Sequence, residues 1–198
     1  MKSICVYCGS STGATPVYAD AARALAGRLV ENNIALVYGG GNVGLMGTIA
    51  DEVMRLGGEV TGVIPTALLD KELGHGGLTR LHIVKDMHER KAMMADLSDG
   101  FIAMPGGIGT LEELFEVLTW AQLGFHEKPI GVLNVGGFYD GLIGFLQHLV
   151  GEGFVRSGHA TLLMHEADPE KLLERFKTYV PSHDVKWLDR TTAQTLLP

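Results

Sequence analysis

Short runs rich in valine and isoleucine alternate with longer stretches whose apolar residues recur at helical spacing, and this alternation persists from residue 3 to residue 179. No other feature limits the possible folds so sharply. A run that is apolar at nearly every position must be covered on both faces, and intervening helices supply that cover, so the chain reads as parallel strands joined by crossover helices. Strands are expected near 3–8, 34–38, 59–64, 80–84, 100–104, 129–134 and 160–164, with helices near 16–32, 42–56, 86–97, 110–123, 138–150 and 169–179. The last helix opens on Asp168-Pro169-Glu170, which is an N-cap residue, a first-position proline and a first-turn acid. The pattern predicts a three-layer, doubly wound, Rossmann-like α/β domain with a mostly parallel sheet of about seven strands. At 198 residues and 46% apolar composition, one core is enough, so 1–198 reads as a single domain with 181–198 as a surface tail.

In open sheets of this kind ligands bind beyond the carboxyl ends of the strands, where loops lead into helix N-termini. Glycine is abundant, at 27 residues, and it gathers at those ends. Three of them carry unusual chemistry: Cys8-Gly9-Ser10-Ser11, Gly39-Gly40-Gly41-Asn42-Val43-Gly44 and Pro105-Gly106-Gly107-Ile108-Gly109-Thr110. The segment Pro65 to Thr79 reads as a longer, mobile loop on the same rim.

Several function classes are disfavoured. A net charge of −7 argues against a nucleic-acid partner, which needs a broad basic face, but leaves room for a small anion met by local cations. No apolar run reaches the ~18 residues of a membrane span, and the opening Met1 to Gly9 is too short in apolar core for a signal peptide, so the chain reads as cytoplasmic with no membrane partner. Cys5 and Cys8 form a C-x-x-C, yet positions three apart on a strand face opposite ways, which predicts two buried core thiols. The eight histidines show no ligand spacing, and no metal is indicated.

Gly39-x-Gly41-x-x-Gly44 follows a strand and opens a helix, as a dinucleotide fingerprint does, but the next strand ends in Ile64-Pro65 where that fingerprint needs a ribose-binding acid. Close packing of helix on strand through Gly44 and Gly47 explains the glycines without a ligand. Pro105 to Thr110 lacks the lysine of a Walker A loop, but bare backbone, a threonine hydroxyl and the amides of a starting helix together make an anion site. Glu113 has two readings. Thr110-x-x-Glu113 fits a capping box, while the stripe Leu111, Leu114, Phe115, Leu118 leaves Glu113 off the core face and open to other work. Arg90 and Lys91 sit in the first turns of a helix, where the macrodipole disfavours cations, so an acid or anion should face them.

At these residues the sequence resembles the LONELY GUY (LOG) phosphoribohydrolases, formerly labelled lysine decarboxylases. The family pattern P-G-G-x-G-T-x-x-E is met by Pro105, Gly106, Gly107, Gly109, Thr110 and Glu113, and its Arg-Lys companion by Met87-His88-Glu89-Arg90-Lys91. Cys5 to Ser11 and Tyr38 to Gly47 also look like the family's segments. The resemblance implies cleavage of the N-glycosidic bond of a nucleoside 5′-monophosphate (a cytokinin riboside monophosphate or AMP) to free base and ribose 5-phosphate, without a cofactor and in a homodimer. It implies that Arg90 and Glu113 are catalytic, that Gly107, Ile108, Gly109 and Thr110 hold the phosphate, and that Glu72 and Lys91 touch substrate. Gly106, Ser10, Gly40, Gly41 and Asn42 complete the candidate binding set.

The chemistry suits the residues. Breaking the bond builds positive charge on the ribose, which a carboxylate beside the ring stabilises, while arginine, with a pKa above ~12, binds and supports but gives up no proton. Two rivals are a non-catalytic nucleotide sensor or carrier, and a pyridoxal phosphate decarboxylase relying on Lys91 for its Schiff base.

Overall fold

The computed structural model describes residues 1–69 and 74–181. Seven strands form one sheet in the order β4-β3-β2-β1-β5-β6-β7: β1 Ser3–Tyr7, β2 Ala35–Tyr38, β3 Val60–Pro65, β4 Arg80–Val84, β5 Phe101–Ala103, β6 Ile130–Leu133 and β7 Leu163–Glu166. Every pairing is parallel. Eight α-helices are described: α1 Val17–Glu31, α2 Gly44–Arg55, α3 Thr66–Leu69, α4 Met87–Asp96, α5 Ile108–Gln122, α6 Asp140–Gly151, α7 Ser157–Ala160 and α8 Pro169–Lys177.

Alternation along the strands splits the core into two layers. From β1, Ile4, Val6 and Cys8 join the buried faces of α1, α2 and α8, whereas Cys5 and Tyr7 join those of α4 and α5. The expected opposition of Cys5 and Cys8 therefore holds, and both are free, buried thiols. Strand order reverses at β1, which pairs with β2 on one side and β5 on the other. The helices that follow β1 and β5, α1 and α5, cover opposite faces of the sheet, and that is where a doubly wound sheet opens a crevice.

Four expectations need correcting. The expected strand at 160–164 begins later, at Leu163, because Ser157–Ala160 turns as α7. The segment Pro65 to Thr79 is not all loop, since Thr66–Leu69 is helical and Gly74 bridges Gly41 in antiparallel fashion. Helix α5 begins at Ile108 with Gly107 as N-cap, so Thr110 lies inside the first turn and the capping box does not form. The core face of α5 also differs: Thr110, Leu114, Val117 and Leu118 are buried, while Phe115 is exposed. The proposed tail beyond 181 lies outside the described residues.

Candidate active site

Leu111 N–H donates to the Gly107 carbonyl at 3.2 Å and opens the ladder of α5. The amides of Ile108, Gly109 and Thr110 ahead of it have no acceptor within the helix, and they carry the positive end of its dipole. Gly106 sits beneath this turn, where a Cβ would strike the Thr110 hydroxyl and come within 2.9 Å of Gly9 N. Only glycine lets the loops after β1 and β5 close to this distance, and Gly9 N–H seals the contact by donating to the Pro105 carbonyl at 3.1 Å. Gly44 performs the same service for α2, since its φ of +58° and its packing against the backbone of Ser10 exclude a side chain.

Arg90 enters from α4. Asp86 caps this helix by accepting the N–H groups of His88 and Glu89, which sets α4 so that Arg90 points inward and is 5% exposed. Its Nε donates to the Val63 carbonyl at 3.2 Å and its Nη2 to the Gly39 carbonyl at 3.1 Å. A buried guanidinium needs such partners, because an unpaired charge out of water costs several kcal/mol. Nη1 is left facing Glu113, with Oε1 at 3.8 Å and the glutamate side chain 12% exposed. Glu113 thus pairs with Arg90 and is too deep in α5 to serve its start.

These groups line one cavity of about 330 Å³, walled by Cys8, Gly9 and Ser10 after β1, Met46 from α2, Leu68 from α3, Met87 and Arg90 from α4, and Gly107 to Thr110 with Glu112 and Glu113 from α5. The Cys8 thiol is no nucleophile there, because burial, aided by the charge of Glu113, pushes its pKa well above the ordinary range.

Of the residues expected from sequence, Ser10, Arg90, Gly107, Ile108, Gly109, Thr110 and Glu113 come together at this cavity. Gly106 lines a second cavity of about 220 Å³ on the far side of the Gly9 and Gly107 ridge, beside Tyr18 and Phe138. Lys91 does not line the first. Its amine lies 2.5 Å from Glu112 and 2.9 Å from Glu116, and although burial lowers its pKa, hydrogen bonds to those carboxylates carry it above the usual lysine value. Gly40 packs on Ile64 and Leu81, Gly41 pairs with Gly74, and Asn42 is exposed; none of the three reaches the cavity. Glu72 lies outside the described residues. Sequence reasoning missed the two carbonyls that grip Arg90 and the apolar wall of Met46, Leu68 and Met87; carbonyls leave no trace in residue identity, while Met46 and Met87 could have been suspected from their places beside two glycine-rich or cationic helix starts.

Fold and site together define a doubly wound α/β protein with an open helix start beside a buried arginine and a half-buried glutamate. A family model described as possible lysine decarboxylase matches residues 46–176. Cytokinin riboside 5′-monophosphate phosphoribohydrolase LOG2 of Arabidopsis thaliana is 48% identical over 200 aligned residues, covering 98% of this chain and 94% of that protein. LOG1 of the same plant is 49% identical, covering 92% and 86%, and the probable phosphoribohydrolase LOGL2 of Oryza sativa subsp. japonica is 47% identical, covering 94% and 78%. The chain belongs to the LOG family. Among solved structures, TM1055 superposes with a TM-score of 0.67 at 21% identity over 90% of this chain and 100% of that one. The molybdenum cofactor carrier protein of Chlamydomonas reinhardtii does so with a TM-score of 0.68 at 19% identity, over 89% and 96%. Both share the fold.

A lysine decarboxylase would hold pyridoxal phosphate as a Schiff base on a lysine. The described residues do not fit that group, because none of the lysines among them lines the cavity and the amine of Lys91 is held as an ammonium between two carboxylates.

Proposed function

We propose that this protein is a phosphoribohydrolase that splits the N-glycosidic bond of nucleoside 5′-monophosphates, cytokinin riboside 5′-monophosphates and AMP among them, into free base and ribose 5-phosphate. The observation that carries the reading is the pair of buried Arg90 and half-buried Glu113, 3.8 Å apart beside the open start of α5. In this reading the phosphate docks on the amides of Ile108 to Thr110, and that remote contact fixes the ribose against Glu113. As the bond from C1′ to the base nitrogen breaks, charge builds on the sugar and the Glu113 carboxylate stabilises it. Water adds to C1′, and the departing nitrogen takes a proton derived from water. Arg90 keeps Glu113 ionised and oriented. Lys91 acts one step removed, holding Glu112 and Glu116 on the same face of α5.

The names of the relatives support the substrate class. Helix α6 buries none of its residues although Phe145 on it, and Phe138 and Phe154 near its ends, are large apolar groups left exposed. Such a surface suits a second copy of the chain, which supports a homodimer. Among the described residues no helix is long and apolar enough to cross a membrane, and two free thiols suit a reducing compartment, in keeping with a cytoplasmic, single-domain enzyme.

The test is to incubate the protein with AMP and with isopentenyladenosine monophosphate and to follow base release. Glu113→Gln should lower kcat on the order of 100- to 1000-fold, the usual loss when one charge-stabilising group is removed. Adenosine, lacking the phosphate, should be a poor substrate. Undiminished turnover by Glu113→Gln, or equal turnover of AMP and adenosine, defeats the proposal.

A further inference from the structure

One buried histidine away from the cavity is bound on three sides. His75 is 7% exposed. Its Nε2 lies 3.0 Å from Asp51 Oδ1 of α2, its Nδ1 accepts the Gly77 N–H at 3.2 Å, and its own amide donates to the Gly40 carbonyl at 3.0 Å. Because Nδ1 faces an amide hydrogen it must be bare, so the ring proton sits on Nε2 and is donated to Asp51. The neighbouring Gly74 bridges Gly41 and donates to the Leu69 carbonyl at 3.0 Å.

These contacts stitch the end of α3 and the approach to β4 onto the glycine loop after β2. The stitched parts reach the cavity at two points. Gly39, next to Gly40, offers the carbonyl that holds Arg90, and Leu68, next to Leu69, forms part of the cavity wall. Consecutive carbonyls of one loop are therefore gripped by Arg90 and by His75.

We infer that His75 is a positioning residue, which with Asp51 clamps Gly74 to Gly77 onto the Gly39–Gly41 loop and so holds Arg90 and Leu68 where substrate meets them. The inference rests on the phosphoribohydrolase reading. His75 itself lines neither cavity wall, and it acts through backbone. A residue that only packs would change thermal stability and leave KM alone; a clamp on the binding wall shifts KM.

Four variants separate these roles. His75→Ala removes both ring bonds. His75→Asn keeps an acceptor oxygen near the place of Nδ1, and His75→Gln keeps a donor near that of Nε2. Asp51→Ala strips the ring's partner from a side chain that is 66% exposed, so folding is not at risk. kcat and KM for AMP are measured beside the thermal midpoint. His75→Ala and Asp51→Ala should raise KM on the order of 10-fold, below the ~100-fold of a directly misplaced reacting group, with kcat within about threefold of wild type. His75→Gln should recover part of the loss. If His75→Ala does not fold, Asp51→Ala decides. A wild-type KM in Asp51→Ala, with wild-type enzyme active, overturns the clamp and leaves the functional reading standing. A wild-type chain that releases no base from AMP overturns that reading and the clamp with it.

Discussion

Replacing Gly39 with alanine separates the grip on Arg90 from the stability of the fold. Gly39 is not among the positive-φ glycines, so its backbone tolerates a side chain. Space is the obstacle: a Cβ there would overlap Nη2 of Arg90 and stand 3.1 Å from its Cζ and 3.3 Å from Met46 Sδ. The loop is tied down, so the guanidinium has to move, and its bonds to Gly39 and Val63 at 3.1 and 3.2 Å go with it. A hydrogen bond from a charged donor contributes about 1.5–3 kcal/mol, and at about 1.4 kcal/mol per decade the loss of one such contact in the transition state lowers kcat/KM roughly 10- to 150-fold. Gly40→Ala is the contrasting control. Its φ is +78° and its Cβ would lie 3.1 Å from that of Ile64, so the cost falls on stability, about 1–2 kcal/mol from left-handed strain alone. The assays are release of adenine from AMP and circular-dichroism melting, run on both variants. Wild-type turnover by a folded Gly39→Ala would refute the reasoning, because Arg90 would then have a second resting place of equal worth.

Two further outcomes follow from other groups. Asp99 accepts the amides of Lys2 and Ser3 at the start of β1, and the Lys2 bond foremost holds its pKa below the ordinary value against the opposing effect of burial. A depressed folded pKa means that the stabilisation is complete above the unfolded carboxylate value of ~3.9 and is lost as pH falls through the lower folded value. Asp99→Ala should therefore melt below wild type at neutral pH, with the gap closing only below about pH 4; a gap independent of pH would contradict this. The thiols of Cys5 and Cys8 are buried, and desolvation together with the charge of Glu113 raises both pKa values, so a disulfide-exchange reagent should label neither in the native protein and both after denaturation. Rapid native labelling would show that the cavity floor is open at Cys8.

Legibility in the sequence followed the kind of signal each feature leaves. Strands buried on both faces announce themselves as apolar runs, so β1 to β3 were placed within one or two residues, and the edge strand β4, of which only Val84 is buried, was placed as closely. The start of α5 misled because Thr110, with a glutamate three residues on, imitates a cap, while the true N-cap is Gly107, which reads as loop. For the same reason Glu113 looked divided between capping and chemistry, when only its distance from the helix start decides the matter. Arg90 and Lys91 are adjacent in sequence but about 100° apart around the helix, so they meet different partners: Arg90 turns to the strand ends and Lys91 to the flank of α5. Neither the Val63 nor the Gly39 carbonyl could be foreseen, since every residue carries one and only the fold selects which is used. His75 and Asp51 stand 24 residues apart with no motif between them.

The strand order also has a consequence for how the chain comes together as it is made. The first strand to be synthesised occupies the middle of the sheet, and everything that grips Arg90, namely the carbonyls of Gly39 and Val63, lies on the side built from β1 to β4. Glu113 arrives with α5, on the side that begins when β5 zips onto β1. A chain ending before Phe101 thus carries the cation and both carbonyls that hold it but lacks the counter-ion, so the reactive pair needs both halves of the sheet.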